Sequence, residues 1–423
     1  MPAPPQRLQP SSYHAFHCLG AECEDTCCVG WIVNIDKPTY ESYQRCDDPE
    51  LGPRLHELVT INPASANDDS YARFLLSGSG CPFLSDGLCG IQNKLGEQYL
   101  SIMCSQFPRV MSMVDDICER SLDMSCPEAA RVMLLDPKPM EFDDIEGPVH
   151  DPRIGHLSTL RTTDGDARKP YRYFHEIRAF VIWLLQYRAD PLWKRLVILG
   201  SFCDELNALA AAGAHAQIPE LLVNCRDAVT GDVFGEALLA HSARPTVQLE
   251  LVLDLIVARI TTDFTHPRFL ACYQEFKEGI DWTSQSTMEE IGQRYAAAHA
   301  GHYAPFLSAN EHMLEHYVVN YVYRTLFPLG PQETKRGPGA HHVEQSIREN
   351  GLLMLVHYAM IQTLLIGMAA FHKEEMSPAH AIRAIQSFAK AFDHSVSFPA
   401  QALRILGAAG MDTCVKLALT VRH

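Results

Sequence analysis

Several patterns that assign a chain to a common enzyme class are missing from this sequence. No glycine-rich loop follows a predicted strand and opens a helix, so the dinucleotide-type phosphate-binding fingerprint is absent. No two cysteines have the Cys-x-x-Cys spacing that is typical of zinc sites, and the spacing of three and then two residues found in radical-type iron–sulfur sites is absent too. No internal repeat of fixed period is present, which argues against a solenoid.

Positively charged residues are scarce. The chain has 35 Lys and Arg against 51 Asp and Glu, a formal net charge of -16, so we expect no sequence-independent binding to nucleic acid. The N-terminus has no apolar core of a secretory signal, and we expect a cytoplasmic protein. The apolar run from Leu352 to Phe371 could span a bilayer by length, but His357, Gln362 and Thr363 within it favour a buried core helix, and we expect no membrane association.

Cysteine is abundant at one end of the chain. Ten of the 14 cysteines lie within the first 126 residues. In the reducing cytoplasm this density indicates metal binding or catalysis rather than disulfides. Thiolates are soft ligands that bind zinc or iron–sulfur clusters, so we predict one cysteine-ligated centre. An iron–sulfur cluster is the favoured interpretation and zinc is the alternative, because the spacing matches neither usual pattern.

The candidate ligands come from separate stretches, since local cysteines begin a site and distant ones complete it. They are Cys18, Cys23, Cys27, Cys28, Cys81, Cys89, Cys104 and Cys126. Adjacent cysteines rarely serve one small site, so Cys27 and Cys28 either serve different sites or include one thiol that only packs. The remaining thiols are expected to be ordinary core residues; they are Cys46, Cys118, Cys203, Cys225, Cys272 and Cys414.

The pattern of apolar residues predicts a mostly α protein in two parts. Residues 1–150 are predicted to form a small, irregular, cysteine-rich α+β domain, with a strand from Gly30 to Asp36. Residues 135–170 are rich in proline, aspartate and glycine and are predicted to be a linker or a surface excursion. Residues 151–423 are predicted to form an all-α domain. Its predicted helices are Tyr173 to Tyr187, Leu192 to Ala212, Thr246 to Thr262, Pro267 to Gly279, Met288 to Ala300, Asn310 to Phe327, Gly351 to His372, Pro378 to His394 and Pro399 to Ala408.

Four stretches, in order along the chain, resemble the flagellin lysine-N-methylases. The first is Cys18-x4-Cys23-x3-Cys27-Cys28-x-Gly30-Trp31, which is similar to the cysteine-rich opening of that family. The second is CPFLSDGLCGIQNKLGEQYLSIMCSQFPR, from Cys81 to Arg109, and the third is ERSLDMSCPEAAR, from Glu119 to Arg131. The fourth is HMLEHYVVNYVYRTLFPLG, from His312 to Gly330, which is similar to a helical segment of the family.

The resemblance implies an enzyme that methylates lysine side chains of flagellin and takes the methyl group from S-adenosylmethionine. It also implies a [4Fe-4S] cluster in a cysteine-rich module that belongs to a wider group of zinc or iron chelators. On this reading residues 1–150 hold the cluster and bind the donor, and residues 151–423 dock the substrate. The alternatives are a non-catalytic metal-binding adaptor and a redox or metal sensor with exposed thiolates. The oligomeric state is not predicted.

Methyl transfer to lysine needs a neutral amine, whereas a free lysine has a pKa of about 10.4. A proton acceptor is therefore expected near the second and third stretches, and the candidate catalytic residues are Glu97, Tyr99 and Glu119. Arg109 could hold the donor carboxylate with two hydrogen bonds, and Trp31 could stack on the adenine or on a cationic centre. Each of these residues also has a purely structural interpretation, as a surface carboxylate, a salt bridge or a packed aromatic ring.

Overall fold

The computed structural model describes residues 6–62, 68–78, 80–146, 157–163, 169–235, 245–262, 266–334 and 344–422. The chain divides into two compact units. The cysteine-rich unit comprises residues 1–132, 141–160 and 331–343, and the helical unit comprises residues 133–140, 161–330 and 344–423. The chain thus returns twice to the cysteine-rich unit after leaving it.

The cysteine-rich unit combines short strands with short helices, which confirms the predicted α+β character. Its strands are β1 (Gln6–Pro10), β2 (Asn34–Ile35), β3 (Val59–Ile61), β4 (Ala72–Phe74), β5 (Leu84–Ser85), β6 (Leu88–Cys89), β7 (Arg109–Val114), β8 (Ile117–Leu122), β9 (Phe142–Glu146), β10 (Leu157–Leu160) and β11 (Glu333–Thr334). Its helices are α1 (Lys37–Gln44), α2 (Leu51–Leu58), α3 (Gly90–Leu95), α4 (Ile102–Gln106) and α5 (Pro127–Leu134), the last of which ends in the helical unit.

Six of these strands form one sheet in the order β11-β10-β7-β8-β1-β9. Strands β7 and β8 form an antiparallel hairpin that pairs Arg109 with Leu122 at one end and Val114 with Ile117 at the other. Asp115 occupies the turn with φ 52°, a conformation that aspartate tolerates better than most residues.

Residues 135–170 are predicted to be a linker or a surface excursion, and the linker alternative is wrong over Phe142–Glu146 and Leu157–Leu160, which form strands. Strand β9 pairs antiparallel with β1, and β10 pairs parallel with β7. The strands that pair with β9 and β10 lie far away along the chain, so the turn-rich local composition did not indicate that these residues form strands. Residues 147–156 and 164–168 of the predicted linker lie outside the described residues.

The strand predicted from Gly30 to Asp36 is also wrong over most of its length, because only Asn34–Ile35 pairs in a sheet. Gly30 has φ 103°, and the indole nitrogen of Trp31 donates to the carbonyl of Cys27 at 2.7 Å. These two features hold the start of the segment in a turn instead of an extended strand.

The helical unit contains every described helix of more than eight residues, together with one short helix at its end. They are α6 (Phe174–Leu185), α7 (Leu192–Ala211), α8 (Ile218–Thr230), α9 (Pro245–Thr262), α10 (Pro267–Gly279), α11 (Met288–Ala298), α12 (Ala304–Arg324), α13 (Ile347–His372), α14 (Pro378–Phe392), α15 (Phe398–Ala408) and α16 (Cys414–Ala418). The mostly α fold class is therefore confirmed. As predicted, Pro267 and Pro378 stand at the start of their helices, where a missing N–H does no harm.

The gap predicted between Ala300 and Asn310 is helical. A π-helical segment, His299–Tyr303, continues α11 into α12, and the irregularity at Asn310 is a kink with φ −131° inside α12. The local period therefore suggested a break where the chain only bends.

Helix α13 is the central helix of the unit. It is long and apolar enough to cross a membrane by length and composition, but its most apolar stretch is entirely buried inside the unit. The expectation of a buried core helix is confirmed by this burial. Helix α10 approaches it closely enough that a Cβ atom on Gly279 would lie 1.9 Å from the carbonyl oxygen of Gly367.

Candidate thiol centres

Four cysteines of the cysteine-rich unit lie within electrostatic reach of one another, and we call them the core thiol group. They are Cys28, Cys81, Cys89 and Cys104. Electrostatic interaction with Cys28, Cys81 and Cys89 raises the pKa of Cys104. Interaction with Cys28 and Cys89 raises the pKa of Cys81, and interaction with Cys28 raises the pKa of Cys89. Every pair within the group therefore interacts. Cys81, Cys89 and Cys104 pack, half-buried, against the apolar core of the unit.

Backbone contacts bring the segments of the core thiol group together. The amide of Cys81 donates to the carbonyl of Cys28 at 2.7 Å, next to an isolated bridge between Val29 and Gly80. The short β5–β6 hairpin pairs Leu84 with Cys89. The side chain of Ser101 caps α4 by accepting from the amide of Cys104 at 3.3 Å.

Burial keeps the core thiols protonated when no metal is bound. Burial is the largest cause that raises the pKa of Cys81 and of Cys104 to about 12 in each case, and the neighbouring thiols contribute to that rise. The nearby backbone N–H groups of Gln92 and Ile91 oppose the rise in the pKa of Cys89, although its side chain makes no cap hydrogen bond to α3. Metal binding at these thiols would therefore have to displace protons, as metal binding to cysteine does in general.

Three further cysteines form a second set, which we call the loop thiol group. They are Cys18, Cys23 and Cys126. Cys18 and Cys23 flank the short helical turn Gly20–Glu22, and each of them acts electrostatically on Cys126. Cys18 also acts on Cys23, so every pair in this group interacts as well.

The loop thiol group is held against the start of α5. Glu24 accepts from Arg131 at 2.7 Å, which ties the cysteine-bearing loop to the helix. Asp123 orders the preceding turn by accepting from the amide and the hydroxyl of Ser125, at 2.9 Å and 2.6 Å. Burial raises the pKa of Cys126 to about 11, while the nearby backbone N–H groups of Ala129 and Glu128 oppose that shift.

Cys27 lies between the two groups. Its thiol is hydrogen-bonded to that of Cys28, which is the largest cause of a raised pKa, and it also interacts with Cys104 and with Cys18. The eight cysteines that the sequence singled out as ligands thus comprise the two groups and this linking residue.

The thiols lie near each other, but they are not arranged as the ligands of a bound metal ion would be. Within the residues that the structure describes, no three His, Cys, Asp or Glu side chains are already spaced to hold a metal ion. The donor set itself fits a thiophilic centre, because it is all sulfur. Metal binding would draw the thiols together from these positions.

The cysteines expected to be ordinary core residues are mostly buried. Cys118, Cys203, Cys272 and Cys414 are buried, and Cys46 and Cys225 are half-buried. Desolvation is the largest cause of the raised pKa of Cys203, and the negative charge of Asp204 is the second. Cys203 therefore differs from Cys81, Cys89 and Cys126, where nearby backbone N–H groups oppose the rise in pKa.

The candidate catalytic residues lie on two elements. Glu97 and Tyr99 belong to one helical turn, Glu97–Tyr99, where Glu97 is exposed and Tyr99 is half-buried. Glu119 lies on β8, opposite Ser112 of β7 and Leu8 of β1, and is 2% exposed. Their catalytic role stays a prediction.

The candidate donor-binding residues are Trp31, which contacts Phe107, and Arg109, which contacts Phe16. The ring of Trp31 meets that of Phe107 edge-on with the centroids 5.2 Å apart. Arg109, two residues further on, places its guanidinium 5.2 Å from the ring centroid of Phe16 and is hydrogen-bonded to Tyr13. The donor-binding role of Trp31 and Arg109 also stays a prediction.

Two residues that support the core thiol group were missed by sequence reasoning. Asp36 caps α1 through the amide of Thr39 at 3.0 Å and also accepts from the amide of Ile102 at 2.9 Å. Tyr43 is fully buried within reach of the core thiols and donates its hydroxyl to the carbonyl of Tyr99 at 2.8 Å. An Asp followed by Lys-Pro is an N-cap signal that was available in the sequence.

Comparison with known proteins gives a consistent set of similarities. A family model described as the FliB lysine N-methylase C-terminal domain matches residues 178–420. The lysine-N-methylases of Salmonella typhimurium and Salmonella choleraesuis are each 30% identical to this chain over 139 residues, 32% of this chain and 34% of theirs. The flagellar biosynthetic protein FliU of Salmonella muenchen is 31% identical over 139 residues, which is 81% of that protein. The chain thus spans about a third of the length of the two lysine-N-methylases, and no solved structure matches it.

Proposed function

Because the chain belongs to the FliB lysine N-methylase family, we propose that it transfers methyl groups to the ε-amino groups of lysine side chains. The observation that carries this proposal is the family match over residues 178–420. We further propose flagellin as the protein substrate, because one similar protein is named as a flagellar biosynthetic protein. S-adenosylmethionine is the proposed methyl donor, and the cytoplasm is the proposed compartment, since it keeps free thiols reduced.

We also propose that the cysteine-rich unit binds a [4Fe-4S] cluster through thiols of the core thiol group. An iron–sulfur cluster supplies redox-active, Lewis-acidic iron when bound. Cys81, Cys89 and Cys104 would offer their sulfurs from the rim of the apolar core, and the nearby backbone N–H groups at Cys81 and Cys89 would stabilise the thiolates. Zinc is the alternative occupant of the same thiols.

The proton of the substrate ammonium must be removed before transfer, and Glu97 is the proposed acceptor. It is exposed at the start of its helical turn, where a side chain from another protein can reach it. Glu119 is 2% exposed within the sheet, so an incoming lysine would have to displace strands to reach it. Tyr99 is proposed to orient the amine from the same turn as Glu97.

Arg109 is proposed to bind the donor carboxylate. Its exposed guanidinium lies over the ring of Phe16 and beside the hydroxyl of Tyr13, so its orientation is restricted before the donor arrives. The ring of Trp31 is held by its own hydrogen bond to Cys27 and could present a face to the adenine.

The direct test is methyl transfer from labelled S-adenosylmethionine to purified flagellin by protein prepared without oxygen. Label on lysine is expected, and Glu97→Gln should reduce the transfer rate by about 10²-fold or more. Glu57→Gln, at an exposed carboxylate on α2, is the matched control and should keep the wild-type rate. Metal-loaded protein that labels no lysine would overturn the proposed activity and would favour a metal-binding adaptor.

A further inference from the structure

The C-terminal end of α10 holds a lysine between two aromatic rings. The ammonium nitrogen of Lys277 lies 5.9 Å from the ring centroid of Tyr273 and 5.8 Å from that of Trp282. Both distances are within the range of about 6 Å over which the face of a ring attracts a cation. We propose that Tyr273 and Trp282 form a binding site for an N-methylated lysine side chain, and that Lys277 occupies this site until such a side chain displaces it. The inference rests on the proposed function for the source of the methylated lysine.

A buried side chain supports both rings of this site. The ring of Phe276 stacks on that of Tyr273 with the centroids 5.8 Å apart, and it meets the ring of Trp282 edge-on at 6.4 Å. Phe276 is 0% exposed and packs against Gly367 of α13. The two half-buried rings are therefore anchored through a residue of the core and do not depend on Lys277 for their support.

The turn after α10 brings Trp282 back towards the helix. The amide of Trp282 donates to the carbonyl of Lys277 at 2.9 Å, and Asp281 between them has φ 46°. Arg294 of α11 donates to the carbonyl of Asp281 at 2.6 Å and so fixes the turn from outside. Because of this turn, a ring five positions after Lys277 in the sequence lies close to its ammonium group.

The rings are the only partners of the Lys277 side chain among the residues that the structure describes. Its ammonium makes no ion pair and donates no hydrogen bond there, although the exposed carboxylates of Glu278 and Asp281 stand in the same turn. Other lysines of the chain do pair with carboxylates, as Lys94, Lys194 and Lys416 show. Lys277 can therefore leave the rings without breaking an ion pair, and the two carboxylates favour a cation as its replacement.

The chemistry of the site favours a methylated amine over an unmethylated one. A lysine ammonium is compact and strongly hydrated, so it loses much hydration when it lies between two rings. Methylation keeps the positive charge and replaces N–H groups with methyl groups that contact the ring faces. Aromatic side chains bind quaternary and methylated ammonium groups in this way. Lys277 competes as an intramolecular ligand, so its removal should raise the affinity for the incoming side chain.

Exposed apolar side chains near the site favour a lysine within a polypeptide. Leu270 lies three residues before Tyr273 on the same face of α10 and is 40% exposed. Phe371 is also 40% exposed, and its backbone nitrogen lies 2.9 Å from the position of a Cβ atom on Gly279. A polypeptide can cover these side chains, whereas a small quaternary ammonium compound cannot. A substrate held through one methylated lysine would stay at high local concentration while another lysine is methylated.

The test measures binding to the full chain in the absence of any methyl donor. A fluorescent peptide with one trimethylated lysine is titrated by fluorescence anisotropy, beside the same peptide with an unmodified lysine. The methylated peptide should bind at least about 5-fold more tightly. Choline should compete only at higher concentrations than the unlabelled methylated peptide. Equal affinity for the two peptides, or choline that competes more strongly than the methylated peptide, would overturn the inference.

Substitutions separate the rings from their present occupant. Tyr273→Ala and Trp282→Ala should each weaken binding of the methylated peptide by about 5-fold or more. Lys277→Ala should instead tighten it by about 3-fold or more, because the competing cation is gone. Trp183→Ala is the matched control, since Trp183 is a half-buried tryptophan whose cation is Arg226, 4.5 Å from the ring centroid, and it should bind as the wild type does.

The Lys277 variant keeps the test decisive if removal of a ring unfolds the protein. Unchanged or weaker binding by Lys277→Ala would contradict the assignment of Lys277 as the occupant, and a loss in Trp183→Ala equal to that in Trp282→Ala would contradict the location of the site. Selective binding without methyl transfer would overturn the proposed activity alone. Methyl transfer without selective binding would overturn this inference alone.

Discussion

Asp36 accepts a hydrogen bond from the amide of Ile102, 66 positions further along the chain, at 2.9 Å. The same carboxylate caps α1 through Thr39, so one buried side chain fixes the start of α1 and the start of α4, two residues before Cys104. The position of a core thiol therefore depends on a carboxylate that is not among the candidate ligands.

Replacement of Asp36 by alanine should weaken both helix starts. We expect Asp36→Ala to lower the free energy of unfolding by about 1–3 kcal/mol, because a cap is lost and the amide of Ile102 is left without its partner. Urea denaturation of the metal-free protein measures this loss. Asp36→Asn keeps an acceptor oxygen and should lose less, and equal losses in the two variants would contradict the proposed role.

The buried ion pair between Arg195 of α7 and Glu315 of α12 should be the most sensitive charge interaction of the helical unit. The two side chains are each about 1% exposed and meet at 2.7 Å, and Arg188 also donates to Glu315. Glu315→Ala would leave the guanidinium of Arg195 buried without its Glu315 partner. We expect this to lower the free energy of unfolding by about 3–5 kcal/mol. Glu311→Ala is the control, since the Glu311 side chain is 30% exposed and pairs with the same arginine. A loss from Glu311→Ala as large as that from Glu315→Ala, in denaturation followed by circular dichroism, would refute the ranking.

Helices α10 and α13 can approach closely only because of two glycines. A Cβ atom on Gly367 would lie 2.5 Å from Cδ2 and 2.6 Å from the carbonyl oxygen of Phe276. We expect Gly367→Ala to destabilise the helical unit by about 1–3 kcal/mol through overpacking. Gly407→Ala should instead stabilise it by about 0.5–1 kcal/mol, because that glycine lies within α15 and no atom of another segment lies within 4 Å of its Cβ position. Thermal melting compares the two variants, and a loss in both would contradict the packing argument.

His357 should make the helical unit less stable in mild acid. Burial lowers the pKa of its imidazole, with the nearby Asp393 carboxylate, 3.3 Å away, opposing the shift and Arg324 adding to it. Because the folded pKa is below the unfolded value of about 6.5, the unfolded chain takes up the proton first. Stability is therefore present above that value and is lost as the pH falls through the folded pKa.

The measurement is the urea midpoint between about pH 7.5 and about pH 5.5. The decline of the midpoint should be shallower in His357→Gln than in the wild type. His175→Gln, at an exposed histidine, should keep the wild-type decline. An unchanged decline in His357→Gln would show that other groups control the acid sensitivity.

The helices were the most predictable part of the fold. Helix α10 begins and ends where the apolar period and Pro267 place it, and α13 differs from its prediction only at its start. Both are long, and their burial pattern is local in sequence. The strands were less predictable, because β9 and β10 find their partners through the whole fold and carry no strong local pattern.

The candidate site was predictable in composition but not in arrangement. The density of cysteine singled out the segment that contains all eight cysteines of interest, since a soft ligand at high density is unusual in a reducing compartment. Spacing along the chain could not predict which cysteines lie near each other. The amide of Cys81 donates to the carbonyl of Cys28, and Cys126 interacts electrostatically with Cys18, which is more than 100 residues away along the chain. Asp36 and Tyr43 act through contacts that have no sequence signature of their own beyond a helix cap.

The interleaving of the two units affects how the protein can be made. Strand β11 completes the edge of the six-stranded sheet with residues 333 and 334, which leave the ribosome only after most of the helical unit has been synthesised. A fragment truncated after residue 160 would expose the edge of β10 and invite pairing with another chain. Expression of the amino-terminal segment by itself should therefore yield aggregates, and a shortened version for spectroscopy would need residues 331–343 supplied through a linker.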